Sequence, residues 1–86
     1  MSTKEKTKLP SWFNGELYED GDTVTNPYSG EECELNKYEL SMYDFLMGAT
    51  MVVEMGVKNP TIIKNIQDGL YWFRVNNSKA YMVLLD

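Results

Sequence analysis

Residue 36 divides the chain into two patterns. Before it, apolar residues come singly or in pairs between turn formers; after it, they recur at intervals of three and four. The second pattern is that of helices with a buried face, and the first is that of short strands and turns. Leu9-Pro10-Ser11-Trp12-Phe13 opens the apolar part, with Trp12 and Phe13 placed to pin the segment onto a core. Asn14-Gly15 predicts a turn and Glu16-Leu17-Tyr18 a short extended piece. Glu19-Asp20-Gly21-Asp22 predicts a second turn, with Gly21 free to take positive φ. Thr23-Val24-Thr25 is suited to a strand, Asn26-Pro27-Tyr28-Ser29-Gly30 to a tight turn, and Glu31 to Leu35 to a strand pairing back.

Asn36 with Glu39 three residues on predicts a capping box and a helix running to about Met55, where Gly56 supplies a left-handed stop. Asn59-Pro60 predicts the cap and first position of a second helix, extending to about Val75. After a break at Asn76-Asn77-Ser78, with Ser78 as cap, Lys79 to Leu85 makes a short third helix. The fold class is therefore α+β: a short N-terminal β-hairpin or meander packed on two main helices plus a short C-terminal helix. The organisation is a basic tail over 1–8, lacking any apolar residue after Met1 and expected to be disordered, and one small domain over 9–86.

The first helix has an unusual distribution. Winding it at roughly 100° per residue separates two apolar arcs. Tyr38, Met42, Phe45, Leu46, Ala49, Val52 and Val53 form one; Leu40, Tyr43, Met47, Met51 and Met55 form the other. Lys37, Ser41, Asp44 and Gly48 fall in a polar stripe between them. A helix apolar on two sides is expected to be buried on two sides. Either the hairpin and the terminal helix cover the second arc, or another chain does. The second helix has a single apolar face of Ile62, Ile63, Ile66, Leu70 and Phe73. Gly69 costs that helix about 1 kcal/mol against Ala, a cost that closer approach to the facing helix would offset.

Composition narrows the function classes. The chain has 86 residues, one cysteine and no histidine. Imidazole chemistry, most zinc sites and an intrachain disulfide are thereby removed, and no cofactor is indicated. A lone thiol fits a reducing, cytoplasmic compartment. No apolar run is long enough to span a membrane, and Met1 to Lys8 has no signal-peptide pattern. The net charge of −5 is unevenly placed: residues 9–54 hold one Lys against ten acids, while both ends are mildly basic. That distribution opposes general nucleic-acid binding.

No constellation points to an enzyme. Cys33 lacks a base, and acidic neighbours disfavour its thiolate. Asp20-Gly21-Asp22 lacks the further oxygen ligands of a calcium loop. Glu31, Glu32 and Glu34 alternate rather than converge. Asp44 and Glu54 lie on the first helix, solvated or facing a pocket. The glycines are too scattered for a phosphate loop. The positive signal is the methionine arc, because flexible, polarisable Met recurs on surfaces that adapt to partners. The candidate interface is Leu40, Tyr43, Met47, Met51 and Met55, with Trp12 and Trp72 as aromatic anchors.

Leu9-Pro10-Ser11-Trp12-Phe13, Asn26-Pro27-Tyr28-Ser29-Gly30, the run from Glu39 to Gly48, Gly69 to Arg74, and the ending Ala80 to Asp86 together resemble small uncharacterised proteins of tailed phages infecting marine cyanobacteria. The resemblance covers residues 9–86 and carries no site residues. It implies a host-cell cytoplasmic setting and action through other proteins. The expectation is a small acidic non-enzymatic phage accessory protein that self-associates, most simply as a homodimer, and binds a host or phage protein. The alternative is a nucleic-acid-linked accessory protein, using its Lys tail on DNA or its acids as a DNA mimic. No membrane partner is expected, and no small-molecule ligand is indicated.

Overall fold

The protein was analysed as a computed structural model in which residues 9–13 and 15–85 are described. The expected basic tail, Asn14 of the first turn, and Asp86 lie outside the described residues. Two strands, β1 (Asp22–Thr25) and β2 (Glu32–Leu35), are followed by helices α1 (Lys37–Glu54), α2 (Pro60–Asn76) and α3 (Ser78–Ala80), and by a terminal π-helix, Tyr81–Leu85. This is the expected α+β arrangement.

β1 and β2 pair antiparallel, with Asp22 opposite Leu35 and Val24 opposite Cys33. Alternation along the strands turns Val24, Cys33 and Leu35 to the core. Glu32 and Glu34 are exposed and share the opposite face, beside Thr25 and Thr23. These two acids therefore point the same way, outward. The turn is built by Asn26, whose Oδ1 accepts from the backbone N–H of Tyr28 and Ser29, and Gly30 closes it at φ 79°.

Gly21 does not take positive φ; among the described residues only Gly30 and Gly56 do. Its role is close approach, since a Cβ there would strike the Leu35 carbonyl and lie 2.8 Å from Asn36 Cα. Glu16-Leu17-Tyr18 forms no strand. It is fixed instead by Ser41, whose Oγ accepts from the Tyr18 N–H at 2.9 Å and donates to the Lys37 carbonyl at 2.7 Å. Ser41 is thus fully buried rather than part of a polar stripe.

The helix ends follow their local chemistry. Asn36 accepts from the Glu39 N–H and Glu39 accepts from the Asn36 N–H, which closes the capping box. Met55 caps the other end of α1, and Gly56 follows at φ 105°. Asn59 caps α2 with Pro60 in its first turn. The third helix is capped by Asn77, not Ser78; Asn77 Oδ1 accepts from the Ala80 N–H. The expected short helix over 79–85 is one turn of α-helix widened into the π-helix.

The core lies between α1 and α2 and under β2: Leu35, Met42, Leu46, Phe73 and Ala80 are buried against one another. Gly69 lets α2 approach α1, for a Cβ at Gly69 would lie 2.8 Å from Leu46 Cδ2 and 3.1 Å from Met42 Sδ. Trp12 and Phe13 pin the N-terminal segment to α1, their rings 5.8 Å and 5.5 Å from that of Phe45. The terminal π-helix packs on α2 and β2. Asn26 Nδ2 reaches across 57 residues to donate to the Val83 carbonyl at 2.7 Å.

Candidate functional site

The face of α1 opposite the core is apolar and open. Met47, Met51 and Met55 recur at i, i+4 and i+8, a ridge about 12 Å long at 1.5 Å per residue, and are 40%, 61% and 77% exposed. Leu40 and Tyr43 continue the ridge toward the helix start and are half-buried, packed against the edge of the core. Among the described residues neither of the covers open to α1 reaches the three methionines, so the helix is left open along them. The hairpin meets α1 where the chain leaves Leu35, and the terminal segment packs on α2 and β2. Val57, just past the helix, is also exposed and extends the apolar surface.

Trp12 and Trp72 are brought together, but away from that ridge. Both are half-buried and line a cleft of about 320 Å³ with Tyr71 and Val75. Arg74 lies over the Tyr71 ring, 5.7 Å from its centroid. Trp12 also packs at a tilt against Phe45, on the flank of α1 that faces the N-terminal segment. The two tryptophans thus line a second apolar surface, separate from the methionines.

A groove of about 560 Å³ lies between α1 and the start of α2. Phe45, Ala49, Val52 and Ile62 give it an apolar lining; Glu16 and Asp44 stand in its wall. Sequence reasoning placed Asp44 on α1 without locating this groove, because Glu16 reaches it only through the fold. One sequence signal did mark it: Gly48, a mid-helix glycine that pays no steric debt to any neighbour, since a Cβ there would meet nothing within 4 Å. Beside the groove, the Tyr18 phenol is held above the ordinary tyrosine range. Burial contributes most, followed by the charge of Asp44, a hydrogen bond to it, and the charge of Glu16.

The remaining candidates do not converge. Cys33 is a free, half-buried thiol facing Val24 across the hairpin, and its nearest acceptor is the Glu34 carbonyl at 4.0 Å. Among the described residues no three Cys, Asp or Glu side chains gather to hold a metal ion. Asp22, Glu34 and Glu39 line a cleft of about 610 Å³ beside Gly21. Glu39 is committed there to its capping box. Among the described residues no helix is long and apolar enough to cross a membrane. Comparison with protein-family models, curated proteins and solved structures finds no match to this chain.

Proposed function

We propose that this is a small non-enzymatic accessory protein that self-associates through the methionine face of α1 and binds another protein. The setting is the host-cell cytoplasm that the phage resemblance implies. The observation that supports self-association is the 12 Å ridge of Met47, Met51 and Met55, left open on the side of α1 away from the core. Burying apolar surface is worth roughly 25 cal/mol per Å², and a standard interface removes about 800 Å² from each partner. For a chain of 86 residues without a disulfide that is a large addition to a small core.

The ends of α1 favour a two-fold antiparallel pairing. Lys37 occupies the first position and Glu54 the last, so each opposes the dipole of its own helix end. Two copies of α1 laid antiparallel bring each Lys37 end toward the other copy's Glu54 end and place the middle of the helix, with Met47 beside it, at the axis. Sedimentation of the unmodified protein tests the reading, with a dimer expected at high micromolar concentration. Met47→Glu places two like charges near the axis and is expected to give a monomer that keeps its helix content. A monomeric unmodified protein at that concentration refutes self-association.

A further inference from the structure

The groove between α1 and α2 is built differently from the methionine ridge. Its lining is apolar along Ala49, Val52 and Ile62, yet two carboxylates, Asp44 and Glu16, stand in its wall, and among the described residues no Lys or Arg lines it. Among the described residues neither acid is in an ion pair; the ion pair there is Lys64 with Asp68, elsewhere on α2. An aliphatic lining beside uncompensated negative charge complements a side chain with an aliphatic stem and a cationic head.

Gly48 argues for close approach at this place. A glycine in a helix interior lowers stability relative to alanine and is usually explained by a neighbour pressed against it. Gly69 on α2 has such neighbours in Leu46 and Met42, whereas Gly48 has none among the described residues. The space above its Cα belongs to the groove. Asp44 lies one turn before it, and Asn65 lies across from it on α2.

We infer that the α1–α2 groove binds a lysine- or arginine-bearing segment of another protein, with the side-chain stem over Gly48 along Ala49, Val52 and Ile62 and the cationic head at Asp44 and Glu16. This names the partner's chemistry for the protein-binding half of the function proposed above and rests on that half. It does not depend on self-association, because the ridge and the groove are lined by different residues of α1.

The test is a ¹⁵N–¹H titration of the full chain with the synthetic peptide acetyl-Leu-Lys-Leu-Lys-Leu-amide, and in parallel with its glutamate counterpart. The lysine peptide is expected to give saturable shifts at Gly48, Ala49 and the Asn65 side-chain amide, and the glutamate peptide none. Asp44→Asn is expected to weaken binding about twofold to fivefold, as loss of one member of an exposed ion pair does. Gly48→Leu is expected to abolish binding by filling the groove. Gly48→Ala, which the helix accepts readily, is expected to weaken binding while raising Tm, so a folding failure of the leucine variant leaves the test intact. Met47→Gln, which removes the apolar ridge side chain without adding charge beside Asp44, is expected to bind the peptide unchanged, whatever its oligomeric state, which separates failure of the groove from failure of the ridge. Three results overturn the inference: shifts confined to the hairpin acids, equal response to both peptides, or unchanged affinity in Asp44→Asn and Gly48→Ala. Groove shifts produced by Lys8→Gln with no peptide present also overturn it, by seating the chain's own basic segment there.

Discussion

Two helical glycines give opposite answers to the same substitution. Gly48 faces open space, so Gly48→Ala removes backbone freedom from the unfolded chain at no steric cost and is expected to stabilise by about 0.5–1 kcal/mol. Gly69 faces Leu46 and Met42, both fully buried. Overpacking costs typically about 1–3 kcal/mol, which exceeds the helix gain, so Gly69→Ala is expected to be destabilising or at best neutral. Urea denaturation of the two variants checks the contrast; two changes of the same sign would contradict the packing described at one of the sites.

Tyr18 gives a residue-scale pH dependence. Its phenol is raised above the ordinary value of 10.0, first by burial and then by Asp44 and Glu16, so the folded state favours the protonated form more than the unfolded state does. The stabilisation is fully present below pH 10.0 and is lost as pH rises through the higher folded value. Alkaline unfolding followed by circular dichroism is expected to lose stability less steeply in Tyr18→Phe than in the unmodified protein.

At the scale of elements, what is legible in a sequence is what closes over a few residues. Asn36 with Glu39, Asn59 with Pro60, and Gly56 all act within one turn, and α1 and α2 begin and end where those residues predict. Asn26 likewise marks its turn. Contacts that span the chain have no such signature. Ser41 read as polar because its partner, the Tyr18 N–H, is 23 positions away. Gly21 read as a turn residue because the Leu35 backbone that needs its missing Cβ comes from the other strand. The groove was hidden for the same reason, being assembled from the N-terminal segment, α1 and α2. The methionine ridge was legible because it lies on one helix, whereas the separation of Trp12 and Trp72 from it was not. Asn36→Ala removes the acceptor for the Glu39 N–H and is expected to cost about 1 kcal/mol, read as a lower urea midpoint with an unchanged slope.

For the whole molecule the balance is between a small core and a large uncovered apolar face. The chain folds into an envelope of 41 × 32 × 21 Å, with its core drawn from α1, α2, β2 and the terminal segment. If the ridge is buried between copies, folding and association are linked, and Tm must rise with protein concentration by mass action. Melting curves recorded over a hundredfold dilution series are expected to shift downward on dilution, and Met47→Glu is expected to abolish that dependence. A concentration-independent Tm in the unmodified protein contradicts the linkage.

The hydrogen bond from Asn26 to the Val83 carbonyl, together with buried Ala80, carries a consequence for synthesis. A chain leaves the ribosome from its N-terminus, and the hairpin emerges long before the segment that holds it. α1 and α2 can form as soon as they are free, since their contacts are local, but β2 waits for residues 80–85. Nascent chains arrested before Ala80 has emerged should therefore be cut readily by protease within the hairpin, and chains extended beyond Leu85 should resist. Until that last turn emerges, the strand edges and the methionine ridge are exposed at the same time, so that interval is when this protein is most open to wrong partners.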